Sequence, residues 1–146
     1  MYPASWKNGK GCWMRSEFIT ELNATKIGVY QGRGLWQLNE PLVYASAILD
    51  KAISAPAKFV TDFASVPRIP GIWWIAGGLA DEAAALHDWL YNQKLVDRKI
   101  ADQIFLEAMK ASGVSWWRRN LMYAAVRALG WRHYGKERVI VDVGSD

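Results

Sequence analysis

Cysteine is nearly absent from this chain: Cys12 stands alone among 146 residues. One thiol excludes a disulfide within the chain and a cysteine-built metal centre. It suits folding in a reducing compartment. Histidine is scarce too, with only His87 and His133, far apart in sequence. Two such imidazoles give no zinc-ligand spacing, so no zinc is expected. No apolar run reaches the length of a membrane span. The first residues lack the basic-then-apolar pattern of a secretion signal. The expectation is a chain made in the cytoplasm without a leader. Also missing are a phosphate-cradling glycine loop, a serine elbow and a recognised nucleic-acid module.

Tryptophan, by contrast, is abundant, with nine copies. Its large apolar body and polar N–H suit both a core and an interface. Some of the nine are expected inside and others at a contact. Formal net charge is +4, and the excess lies towards the C-terminus. Such an excess favours an anionic partner, so peripheral contact with an anionic membrane is one expectation. On a helical wheel, however, Arg118, Arg119, Arg127 and Arg132 do not share one face. A solvated helix surface is the plainer reading, and nucleic acid is not expected.

The length fits a single domain over residues 1–146, of α+β class, with a small antiparallel sheet first and a helical half second. Residues 1–15 read as an arm. Residues 16–63 read as β, with strands at 18–22, 26–30, 35–38, 42–46 and 58–63 between Asn, Gly and Pro breaks. Pro67, Pro70 and Gly71 then interrupt an apolar stretch, which makes 64–79 an irregular loop beside a site. The period turns helical over 80–134. A first helix covers about 80–92, and Asp97 caps a second that ends near Ser112 and Gly113. Ser115 caps a third, with the apolar stripe Trp117, Leu121, Ala124 and Leu129 and with Gly130 near its end. Residues 138–143 alternate as a terminal strand.

The informative residues sit on the first two helices. Ala80, Ala83, Ala84, Leu90 and Tyr91 form an apolar stripe at i, i+3 and i+4 offsets, with His87 in its middle. An unpaired imidazole there costs several kcal/mol in order of magnitude, so it needs a polar partner. Asp102 has the same difficulty among Phe105, Leu106 and Met109. Two antiparallel helices let each group satisfy the other. A carboxylate that orients an imidazole is also how a general base is built. The plainer alternative is a buried pair that holds two helices in register. For Tyr91 the plainer reading is packing, and for Asp62 a turn cap on the amide of Ala64 or Ser65. His133 reads as a surface residue.

Two signatures carry a family resemblance. One combines residues 35–44 with Thr61, Asp62, Phe63, Ser65, Pro67 and Arg68. The other combines His87, Asp88, Trp89, Leu90 and Tyr91 with Arg98, Met109, Arg119, Tyr123, Arg127 and Gly130. On these the chain is identified as a member of an uncharacterised family of phage and prophage proteins, domain of unknown function one-three-five-three, over roughly 16–132. The resemblance implies a tailed phage or prophage as source and supplies no activity.

A more distant likeness does. His-Asp-x-x-Tyr on one helix, followed by an aspartate on the next, resembles secreted phospholipase A2, above all the type found in parvovirus capsids. That resemblance implies His87 as the base that activates water and Asp102 as its orienting acceptor. It implies Tyr91 as a donor to Asp102, and Asp88 as a calcium ligand, with Asp62 the best second carboxylate in this chain. The glycine-rich calcium loop of those enzymes has no recognisable counterpart, and Leu90 stands at one of their cysteine positions. The expected function is a calcium-dependent ester hydrolase acting on the host envelope during entry or lysis. The alternatives are a virion or accessory protein, at the tail or contacting other virion proteins, whose His87–Asp102 pair only braces the fold, and a peptidoglycan-cleaving enzyme. The last lacks the paired carboxylates or metal site such an enzyme needs. Oligomeric state is not legible.

Overall fold

The computed structural model describes residues 15–63, 65–67 and 80–134. Most of the expected N-terminal arm, most of the irregular loop and the expected terminal strand lie outside these residues. The fold is α+β, as the pattern implies. Among the described residues six strands come first: β1 (Glu17–Phe18), β2 (Ala24–Tyr30), β3 (Arg33–Leu38), β4 (Leu42–Ser46), β5 (Lys51–Ala55) and β6 (Val60–Thr61). They form two antiparallel sheets, ordered β1-β4-β5 and β2-β3-β6. Three described helices follow: α1 (Asp81–Gln93), α2 (Arg98–Ala111) and α3 (Trp116–Leu129), with a 3-10 turn at Gly130–Arg132. Among the described residues no helix is long and apolar enough to cross a membrane.

The β2–β3 hairpin turns on Gln31 and Gly32, both at positive φ, which matches the twist of the flanking strands. Strand β4 is buried along its whole length and is central to its sheet. Its Tyr44 and Ser46 point to one side, two residues apart. Both hydroxyls donate to Glu107 Oε1 of α2, each at 2.9 Å. The Ile48 amide takes Oε2 at 3.0 Å. One carboxylate therefore fixes the helical half on the sheet. The Tyr44 hydroxyl is pushed up by burial and by the Glu107 charge.

Two expected strands are shorter in the structure and one strand is new. The 58–63 segment pairs only at Val60–Thr61, because Lys58 and Phe63 both take positive φ. The 18–22 segment stops early, since the Ile19 and Thr20 amides converge on the Val43 carbonyl. Strand β5 is additional: it packs Ile53 and Ala55 inward, but alanine and serine leave its alternation faint.

The short 94–97 connection folds α2 back on α1. Lys94 closes α1 in the left-handed region, its amide on Leu90 O. After α2, Gly113 takes φ +83, with Gly113 N on Lys110 O and Val114 N on Met109 O, a Schellman ending. Asp97 and Ser115 occupy the N-cap positions, without a side-chain cap bond. Helix α3 buries Met122 and Val126. The stripe read from the sequence, Trp117, Leu121, Ala124 and Leu129, faces solvent instead. The helix carries two apolar faces, and the one with Met122, Val126 and the adjoining Gly130 meets the core.

Candidate active site

The last strand and the first two helices meet at a polar cluster inside the hydrophobic core. His87, Asp102, Ser65 and Thr61 are fully buried, and Asp88 nearly so. The small Ala80 at the N-cap of α1 and Ala83, Ala84 and Ala85 within it are all enclosed, so neighbouring backbone can approach closely. The His87 ring lies 4.0 Å from Tyr91 and 4.8 Å from Phe105, centroid to centroid. These contacts hold its plane.

His87 Nε2 is 2.8 Å from Asp102 Oδ1, as expected, and Tyr91 donates its hydroxyl to the same oxygen. Arg127 Nη1 donates to Oδ2 at 2.8 Å, and Arg98 stands 3.7 Å from that oxygen. Burial alone would raise the Asp102 carboxyl. Hydrogen bonds from His87, Tyr91 and Arg127 outweigh it and hold the group below its ordinary value. The Tyr91 hydroxyl is pushed up by burial and by Asp102. Arg127 is raised by its bond to Asp102.

An ionised Asp102 has no proton to give, so Nε2 carries the hydrogen and donates. In the neutral ring Nδ1 is then a lone-pair acceptor. Ser65 Oγ lies 3.0 Å from Nδ1 and, with the ring in that neutral form, is the donor. The result is a relay of hydroxyl, imidazole and carboxylate, ordered Ser65, His87, Asp102. Ser65 follows Phe63, a non-glycine residue at φ +57 whose carbonyl accepts from the Val66 amide at 3.2 Å. Positive φ on a bulky residue stores backbone strain. Here it turns the chain so that Ser65 faces α1.

Asp88, next to His87, anchors that turn. Its Oδ2 accepts from Thr61 Oγ1 at 2.5 Å and its Oδ1 from the Ser65 amide at 3.1 Å. Thr61 Oγ1 in turn accepts from the Phe63 amide at 3.0 Å. Asp62 is buried in the same turn, while the Ser65 amide expected on it goes to Asp88. A calcium ion takes six to eight oxygens. Among the described residues no three His, Cys, Asp or Glu side chains gather around a common point. Asp88 is engaged by Thr61 and Ser65.

Sequence reading finds His87 and Asp102 because each is polar on an apolar helical stripe, whereas Tyr91 enters only through the phospholipase resemblance. Sequence reading misses Ser65 and Thr61, which lie in a turn with no period. Arg98 does begin α2 behind Asp97, but its place beside Asp102 is not read from the sequence, and Arg127 is read as surface. The i, i+4 spacing of Arg98 and Asp102 was the available signal for the former.

The family described as "Protein of unknown function (DUF1353)" matches residues 36–126. The matched stretch includes Thr61, Ser65, His87, Asp88, Tyr91 and Asp102 and ends one residue before Arg127. The chain belongs to that family. Comparison with curated proteins and with solved structures gives no match.

Proposed function

We propose that this family member is a phage-encoded ester hydrolase of the host envelope, with Ser65 as nucleophile, His87 as general base and Asp102 as the group that orients it. The supporting observation is the order of contacts along the ring: Asp102 on Nε2 at 2.8 Å and a hydroxyl on Nδ1 at 3.0 Å. In the first step Ser65 Oγ attacks the ester carbonyl while Nδ1 takes its proton. The carbonyl–oxygen bond then breaks, the leaving alkoxide receives that proton from Nδ1, and an acyl-serine remains. Water, deprotonated by the same nitrogen, releases the acid and restores the Ser65 hydroxyl. Asp102 stays ionised and stabilises the imidazolium of each step. The phospholipase resemblance supports a phospholipid as substrate but implies water where Ser65 Oγ stands.

A second reading rests on the complete burial of Ser65, His87 and Asp102. In it the network only braces the fold of a virion or accessory protein. One set of variants separates the readings. As catalysts, Ser65→Ala and His87→Gln lower fatty-acid release from phosphatidylcholine–phosphatidylglycerol vesicles about a hundredfold or more, while each still unfolds cooperatively. A fluorophosphonate labels wild-type Ser65 and spares His87→Gln. As a brace, His87→Gln costs about 1–3 kcal/mol, and wild type neither releases fatty acid nor takes the label. Normal hydrolysis by Ser65→Ala with loss in His87→Gln would transfer the nucleophile to water.

A further inference from the structure

The outward face of α3 is apolar where a solvent-facing helix surface is ordinarily polar. Trp117, Leu121, Ala124 and Ala128 recur there at helical spacing, and Trp131 extends the line into the 3-10 turn; all five are exposed. Trp116 is 70% exposed and Trp131 61%. A large indole left this open is costly in water and has no role in the core. The Arg118 guanidinium sits 5.0 Å above the Trp117 ring, and that of Arg132 5.5 Å above Trp131. The charge along this stretch has one sign. No Asp or Glu occurs between Glu107 and Glu137, whereas Lys110, Arg118, Arg119, Arg127, Arg132 and Lys136 do. Arg127 turns inward to Asp102, and Arg119 donates to Val114 O at 3.1 Å. Arg118 and Arg132 flank the tryptophans.

We infer that this face docks on an anionic phospholipid surface. Exposed tryptophan sits well at the boundary of headgroups and acyl chains, and a helix lying in that plane buries its apolar side while flanking arginines meet lipid phosphates. A second copy of the chain fits less well. Stripe against stripe would bring Arg132 of both copies together, and the helix offers no acid to face it. Docking needs neither Ser65 nor His87, so the inference stands apart from the hydrolase reading.

The test is co-sedimentation with vesicles of phosphatidylcholine alone and of phosphatidylcholine with phosphatidylglycerol. Wild type is expected to pellet with the anionic vesicles and to be released by salt. Arg132→Gln should weaken binding about fivefold. Trp117→Ser combined with Trp131→Ser should weaken it more than about tenfold. Both changes are at exposed positions, and an unchanged melting curve checks that the variants fold. Ser65→Ala should bind as wild type does, even if it hydrolyses nothing. Equal binding to neutral vesicles, or full binding by the double tryptophan variant, would overturn the inference. So would a wild type that stays in the supernatant. If that protein sediments as a dimer broken by the tryptophan changes, the occupant of the face is a second copy.

Discussion

Gly130 offers a test of the buried network from outside it. Its φ of −65° and ψ of −20° are ordinary helical values, so alanine introduces no backbone strain. By helix propensity alone, Gly130→Ala would stabilise by about 1 kcal/mol. Space forbids this. A Cβ at Gly130 would lie 2.6 Å from the Tyr91 hydroxyl oxygen and 3.2 and 3.3 Å from two ring carbons. That hydroxyl is the one donated to Asp102. Overpacking of this kind costs about 1–3 kcal/mol, and displacement of the hydroxyl weakens a hydrogen bond to a charged group, worth about 1.5–3 kcal/mol. Tyr91→Phe removes the same bond without the clash and should cost about the latter amount. In Tyr91→Phe the nearest obstacle to the new methyl is gone, and only ring carbons that can shift slightly remain. Urea unfolding of the two single variants and the double should therefore give a coupling of about 1–2 kcal/mol, the double lying close to the worse single. Strict additivity, or a Gly130→Ala protein more stable than wild type, would refute the placement of Tyr91 between Gly130 and Asp102.

Three further outcomes follow from the same cluster. Asp102 is held below its ordinary value in the folded state. Its contribution is thus fully present above the unfolded carboxyl range and is lost as pH falls through the lower folded value; Asp102→Asn should flatten that acid limb in pH-dependent unfolding. Tyr91 is raised, so its contribution is full below about pH 10, the ordinary tyrosine value, and falls as pH rises from there; Tyr91→Phe should remove this alkaline loss. Because Thr61 and Ser65 occupy both oxygens of Asp88, millimolar calcium is expected to leave Tm unchanged. A rise that Asp88→Asn abolishes would restore calcium to the site.

What the sequence conveys depends on whether a residue sits in a periodic element. Helices α1 and α2 were readable within a residue or two because alanine, leucine and aromatic residues recur at helical spacing and glycine or an N-cap residue marks the ends. His87 and Asp102 stood out as polar groups on those stripes, and their pairing followed from mutual need. Ser65 carries no such mark. Its position depends on a strained Phe63 and on Asp88, contacts that close only in three dimensions. Strand β5 was faint because its buried positions include small alanine. For α3 the difficulty was surplus: two apolar faces compete, and the larger side chains lie on the one that stays outside. Bulk pointed to Trp117 and Leu121, whereas the core took Met122 and Val126.

That choice lets α3 serve two tasks. Its inner face delivers the Arg127 guanidinium to Asp102 and ends in Gly130, the position that leaves room for the Tyr91 hydroxyl. Its outer face carries tryptophan and arginine to solvent. Had Trp117 and Leu121 been turned inward, Met122, Val126 and Gly130 would leave the core, and Asp102 would lose its closest cation. A buried carboxylate stripped of that partner costs several kcal/mol in order of magnitude. The exposed aromatic stripe is therefore not a packing accident of one helix. It is the face left over once the carboxylate that orients His87 has been satisfied.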